Sequence, residues 1–102
     1  MRTLSIDIET YSSVNLQESG VYAYSEAPDF SILLFAYAYD KEEVKIIDLA
    51  RGEQLPKQLI KDLSSLKVLK TAYNANFERT CLAKYLGIPM SPSQWQCTAV
   101  HA

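Results

Sequence analysis

The run from Phe30 to Tyr39 constrains this chain more than any other feature. It is ten residues long, apolar at every position but Ser31, and held between Asp29 and Asp40. A bilayer span needs about 20 apolar residues, so this run is too short to cross one. Rich in aromatic and aliphatic residues and bounded by polar ones, Ser31 to Tyr39 is expected to form a strand buried on both faces. The turn Asp40-Lys41-Glu42 and the β-rich Glu43 to Leu49 behind it complete an antiparallel hairpin. The rest of the composition agrees with a core of that kind. The 102 residues are 48% hydrophobic and 22% charged, with 3 Gly and 4 Pro, which is the balance of one globular domain. The formal net charge of −2 excludes a large phosphate-neutralising surface as the main means of holding nucleic acid.

The same reading extends along the chain. Arg2 to Ile8 alternates with β-branched residues, giving a strand at about 3–8. Residues 10–28 are polar and Ser-rich and are expected to be a long connection, with a turn of structure at Val21 to Tyr24. Leu55, Leu59, Ile60, Leu63 and Leu66 recur at helical spacing with Pro56 in the first turn, predicting a helix over about 56–66. Val68 to Tyr73 reads as a strand. Asn76 caps a second helix whose apolar stripe is Phe77, Cys81, Leu82, Tyr85 and Leu86, closed by Gly87 with Pro89 just beyond. Gln94 to Thr98 makes a last short strand. The order is β-β-β-α-β-α-β, an α/β sheet of mixed strand direction. Thr98 to Ala102 carries helix formers and no stop signal, so a further helix is expected to begin near Thr98 in a longer parent.

With acids in Met1 to Glu9, where a secretory leader needs an apolar run, no leader is expected. Cys81 and Cys97 lack the C-x-x-C spacing and read as free thiols of a cytoplasmic protein. Cys81, Cys97 and His101 match no recognised zinc spacing.

Chemistry concentrates in three acids. Asp7 and Glu9 are i and i+2 on the first strand, on one face and roughly 6.5–7 Å apart along it, where two carboxylates can share hard divalent cations. Chance alone supplies about 0.3 such Asp-x-Glu triplets in a chain of this composition, and a second one, Asp40-Lys41-Glu42, falls in a turn. The first differs in context. Its acids interleave with Ile6 and Ile8, where like charges are costly without a cation. The plainer alternative is a strand with one solvent-facing polar side. Glu78 lies in the first turn after Asn76, where an acid also complements the helix dipole. Asn74 and Asn76 also suit turn and cap positions, and Trp95 and the tyrosines are scattered without a nucleic-acid-binding pattern.

Together these residues carry a resemblance. Asp7-Ile8-Glu9-Thr10 at a strand end resembles the first motif of DnaQ-like 3′–5′ exonucleases. Thr71-Ala72-Tyr73-Asn74-Ala75-Asn76-Phe77-Glu78-Arg79 resembles the second, an Asn-rich turn entering a helix with an acid. Tyr24 to Asp48, with Pro28-Asp29-Phe30, resembles the exonuclease region of phage-type polymerases of the DNA polymerase I family. The resemblance implies a ribonuclease H-like fold: three antiparallel strands, then parallel ones, with flanking helices. Residues 1–102 would be the N-terminal part of such a domain, ahead of a polymerase domain. It implies hydrolysis of 3′-terminal phosphodiesters of single-stranded DNA ends with two Mg²⁺ or Mn²⁺ ions, and no membrane. Asp7 would bridge both metals, Glu9 would hold one and orient the water or the 3′-hydroxyl, and Glu78 would hold the second. The three carboxylates are therefore expected to converge. Thr10, Asn74 and Phe77 would contact the terminal nucleotides. Two departures stand out. The second motif usually carries Asp where this chain has Glu78, and the third motif is missing, since no Asp or Glu follows Glu78. Two alternatives remain open: a domain of that fold without the chemistry, binding nucleic acid or serving structure, and another two-metal nuclease such as a ribonuclease H.

Overall fold

A computed structural model describes residues 2–98. The first strand, β1 (Arg2–Tyr11), buries Leu4, Ile6 and Ile8 on one face and turns Ser5, Asp7 and Glu9 out to the other. It forms the hairpin partner of β2 (Ser31–Tyr39), with Ile6 opposite Tyr37 and Ile8 opposite Phe35. The register slips between Glu9 and Thr10, where Leu33 is bypassed and the pairing resumes at Ile32. That slip carries β1 to Tyr11, beyond the end at Ile8 that alternation suggests.

The hairpin from β2 into β3 (Lys45–Asp48) is as expected, although β3 is shorter than Glu43 to Leu49. Asp40 takes the turn in the left-handed region, φ 50°, a conformation Asp tolerates. Its carboxylate accepts from the Thr3 amide and from Arg2. β4 (Val68–Ala72) lies parallel to β1 on the other side, and β5 (Trp95–Cys97) lies parallel to β4. The sheet order is β3-β2-β1-β4-β5, so an antiparallel half and a parallel half meet at β1.

Three helices complete the domain: α1 (Leu16–Glu26), α2 (Lys57–Ser64) and α3 (Ala75–Leu86). The expected long connection over 10–28 is corrected by α1. The Asn15 side chain accepts from the amides of Gln17 and Glu18 and starts the helix, and Gly20, at φ 85°, breaks it midway. Polar residues and a central glycine conceal this helix from a search for apolar periodicity. Pro56 stands just ahead of α2, one place earlier than expected, and Leu66 lies past its end, 63% exposed. The cap of α3 is Asn74 rather than Asn76, and it makes no side-chain cap bond. Gly87 closes α3 in the left-handed region, its amide donating to the Ala83 carbonyl, as expected. The helix expected near Thr98 lies outside the described residues.

Leu59 and Leu63 of α2 and Cys81 and Leu82 of α3 pack with Leu4, Ile6, Ile8, Phe35 and Tyr37 into one core. Tyr39, at the edge of that face, donates its hydroxyl to Asp62 of α2. Lys70 shares the core face of β4 at 1% exposure, its ammonium donating to the Ser65 carbonyl at 2.6 Å. The helices thus serve one side of the sheet. On the other side Leu34, Ala36 and Ala38 are only partly buried, and Val44 and Ile46 are 62% and 66% exposed. The expectation that β2 is buried on both faces is corrected accordingly: among the described residues nothing covers the second face. No helix is long and apolar enough to cross a membrane among the described residues.

Candidate functional site

β1 pairs with β4 only from Arg2 to Ser5, yet with β2 through Tyr11. From Ile6 onward β1 therefore overhangs the carboxyl end of β4. The chain leaves β4 at Ala72, turns through Tyr73 and Asn74, and enters α3 beside this free flank. Crevices at the carboxyl ends of sheet strands, where strand direction changes, are the usual ligand positions of α/β sheets. A groove of about 310 Å³ opens there, with Asp7 and Ile8 on one wall, Tyr73, Asn74, Phe77 and Glu78 on another, and Leu16 at its edge.

Glu78 is the unusual group. It is 4% exposed, and it stands in the first turn of α3 because the Phe77 and Glu78 amides both close onto the Asn74 carbonyl. Burial pushes its carboxyl up to about 7, opposed by the Asn74 and Glu78 amides and reinforced by the negative charge of Asp7. The Cys81 thiol, deep in the core, is pushed up to about 12, chiefly by burial and further by Glu78. Two carboxylates thus face one groove, one solvated and one desolvated. A divalent cation between them would offset both the repulsion and the desolvation, so this pair fits a hard metal ion.

Of the three carboxylates expected to converge, Asp7 and Glu78 line the groove. Glu9 is exposed two residues further along the same strand face and is absent from the groove walls. Among the described residues, no group of three His, Cys, Asp or Glu side chains lies close enough to hold a metal ion.

Asn74 and Phe77 line the groove. Thr10 has a different neighbour. Its hydroxyl shares a 2.8 Å hydrogen bond with Tyr24 of α1, and the Tyr24 ring lies 5.9 Å from that of Phe77. Thr10 therefore braces the aromatic wall from behind. Asn76 turns away to accept from Arg79 at 2.8 Å. Cys81 is buried, and Cys97 accepts from the Ala75 amide through its sulfur.

Sequence reasoning missed Tyr73 and Leu16. Tyr73, 73% exposed at the groove mouth, was legible as an aromatic in a turn next to Asn74. Leu16 became visible only with α1, for which Asn15 followed three residues later by Glu18 is the available signal.

No protein-family model and no solved structure matches the chain. Over all 102 residues it is 67% identical to a DNA polymerase of Bacillus phage SP02, of which it spans 16% of the length. The chain is thus similar throughout to one region of a much longer phage DNA polymerase.

Proposed function

We propose that this chain is the N-terminal part of a 3′–5′ exonuclease domain of ribonuclease H-like fold within a DNA polymerase. The observation that carries the reading is the desolvated Glu78 carboxylate facing Asp7 at the overhang of β1. A structural strand and helix have no need to keep a second acid buried beside the first, whereas a cation site does. The likeness to a phage DNA polymerase supports the polymerase context.

In this reading Asp7 and Glu78 hold Mg²⁺ or Mn²⁺, and Glu9, at the open edge, holds a second ion or orients the attacking water. When bound, the metal ions lower the pKa of water and stabilise the departing oxygen. The chain's own residues do the rest. Tyr73 and Phe77 offer aromatic faces to the terminal base of single-stranded DNA, and stacking of this kind is worth about 1–3 kcal/mol per base. Asn74 presents its amide to the terminal sugar. Thr10 and Tyr24 keep the Phe77 ring in place. In this reading the third-motif acid that the resemblance implies lies outside residues 1–102, since no Asp or Glu follows Glu78.

One observation favours a second reading. The lack of a three-ligand group among the described residues suits a domain that binds nucleic acid without cleaving it. The test separates the two. In the polymerase that carries this segment, a 3′-labelled oligonucleotide should lose single nucleotides with Mg²⁺ or Mn²⁺. Asp7→Ala should slow this by about 100-fold or more, while Asp40→Ala, in the turn, leaves it unchanged. Equal rates for the wild type and Asp7→Ala would leave only the non-catalytic reading.

A further inference from the structure

The helix α1 is in two pieces. At Gly20 the backbone takes φ 85° and ψ 169°, a conformation open to glycine and to almost nothing else, and the helix breaks there. The two halves are held very differently. Beyond the break, Ser25 is 2% exposed, the Tyr24 ring packs against Phe30 and Phe77, and the Tyr24 hydroxyl meets Thr10. Before it, Asn15 to Gly20 are all exposed. This half makes its hydrogen bonds within itself: the Asn15 side chain accepts from the Gln17 and Glu18 amides, and the Asn15 carbonyl accepts from Ser19. Among the described residues, the hydrogen bonds that tie residues 12–19 to the rest of the domain are those of Ser13. Its amide and its hydroxyl both donate to one Asp29 carboxylate oxygen at 3.1 Å. Segments held by few buried contacts open at little cost. This one borders the acid groove, with Leu16 at the groove edge and 39% exposed.

We propose that residues 12–19 are a strap that closes over the acid groove, turning about Gly20 and the end of β1, with the Ser13–Asp29 pair as the latch that holds it open as described here. The proposal rests on the reading of this groove as the place of a terminal nucleotide. Closure carries Leu16 from the edge onto a nucleotide held between Tyr73 and Phe77, and buries an apolar side chain that water now reaches. It also drives water from around Asp7 and Glu78, and their attraction for a cation strengthens as the solvent leaves. Gly20 absorbs the turn without a clash, since nothing lies within 4 Å of where a side chain would begin. Glu18 is the one charged residue of the strap. Two positions from Leu16 on a helix, it lies off the face that descends, so closure presses no further acid on the pair.

The test uses the polymerase that carries this segment, with Ser13→Cys and Asp29→Cys made together so that oxidation joins strap and latch. Oxidised, the double variant should remove 3′ nucleotides more slowly than when reduced, by about tenfold or more. Neither single variant should respond to the reductant. A second measurement needs no catalysis. In Asp29→Ala, hydrogen exchange of the Leu16 to Ser19 amides should rise several-fold while the Tyr24 and Ser25 amides keep their rates. In chelator, tetrathymidylate should protect Leu16 to Ser19 in the wild type. Equal rates for the oxidised and reduced double variant, in an enzyme whose wild type cleaves, overturn the strap and leave the exonuclease reading standing. A wild type that cleaves nothing removes that reading, and the strap then stands or falls on the protection by tetrathymidylate. Equal increases in exchange on both sides of Gly20, or no protection by tetrathymidylate, overturn the proposal.

Discussion

Glu78 concentrates the residue-scale physics. Its carboxyl sits at about 7 when folded against an ordinary value of 4.5, so the folded state holds a proton that the unfolded state has already released. Stability therefore falls as pH rises from about 4.5 to about 7 and is level above that. At roughly 1.4 kcal/mol per pH unit over that interval the loss is on the order of 3–4 kcal/mol. Asp29 and Asp40 act elsewhere on the scale, because hydrogen bonds to Ser13 and Thr3 lower their carboxyls, and what they contribute is lost below their ordinary 3.8. In chelator the melting temperature should be higher at pH 5 than at pH 8, and Glu78→Gln should flatten that difference. A profile unchanged by Glu78→Gln would show that another group is responsible.

Asp7 belongs to the same argument. Removing its charge relieves the repulsion on Glu78, so Asp7→Ala should be neutral or stabilising by up to about 1 kcal/mol without metal. If the acids hold a metal as proposed, Mn²⁺ should raise the melting temperature of the wild type at pH 8, and Asp7→Ala should abolish that rise. Calorimetry with and without Mn²⁺ checks both halves.

At the scale of elements, α1 is the informative one. It exists because Asn15 caps it and because Tyr24 and Phe30 pack edge to face, at 5.9 Å, beside Phe77. Asn15→Ala should cost about 1 kcal/mol, as the loss of such a cap usually does. Gly20→Ala should cost at least about 1 kcal/mol. Space is not the reason, since nothing lies within 4 Å of the added methyl; the strain is in the backbone at φ 85°. Urea denaturation measures both, and a stabilised Gly20→Ala variant would mean that the break in α1 is not required. The helix was hard to read in the sequence because its contribution is a few aromatic contacts on a polar segment. By contrast α3, with Cys81 and Leu82 in the core and a left-handed Gly87 at its end, was plain.

At the scale of the whole molecule, the sheet has one helix-covered face and one bare face. Val44 and Ile46, more than half exposed on the bare face beside Ala36, make an apolar surface of the kind that drives association. Ile46→Lys should therefore reduce self-association in sedimentation experiments at high concentration, and the melting temperature should move by less than a few degrees because no core contact is lost. A large drop in melting temperature would mean that Ile46 is packed in solution.

The sequence by itself determined the strands around Asp7 and the hairpin, because apolar alternation and turn residues act over a few neighbours. It also marked Asp7, Glu9 and Glu78 as the acids of interest. What only the tertiary structure decided is which of them meet. β4 stops four residues short of Glu9, and its turn delivers α3 to the flank of Asp7, so Asp7 and Glu78 share a groove while Glu9 stays at its margin. The perturbation of Glu78 was likewise beyond the sequence. Desolvation depends on what packs around a carboxyl, and those neighbours come from β1, α1 and the turn before α3, segments far apart along the chain.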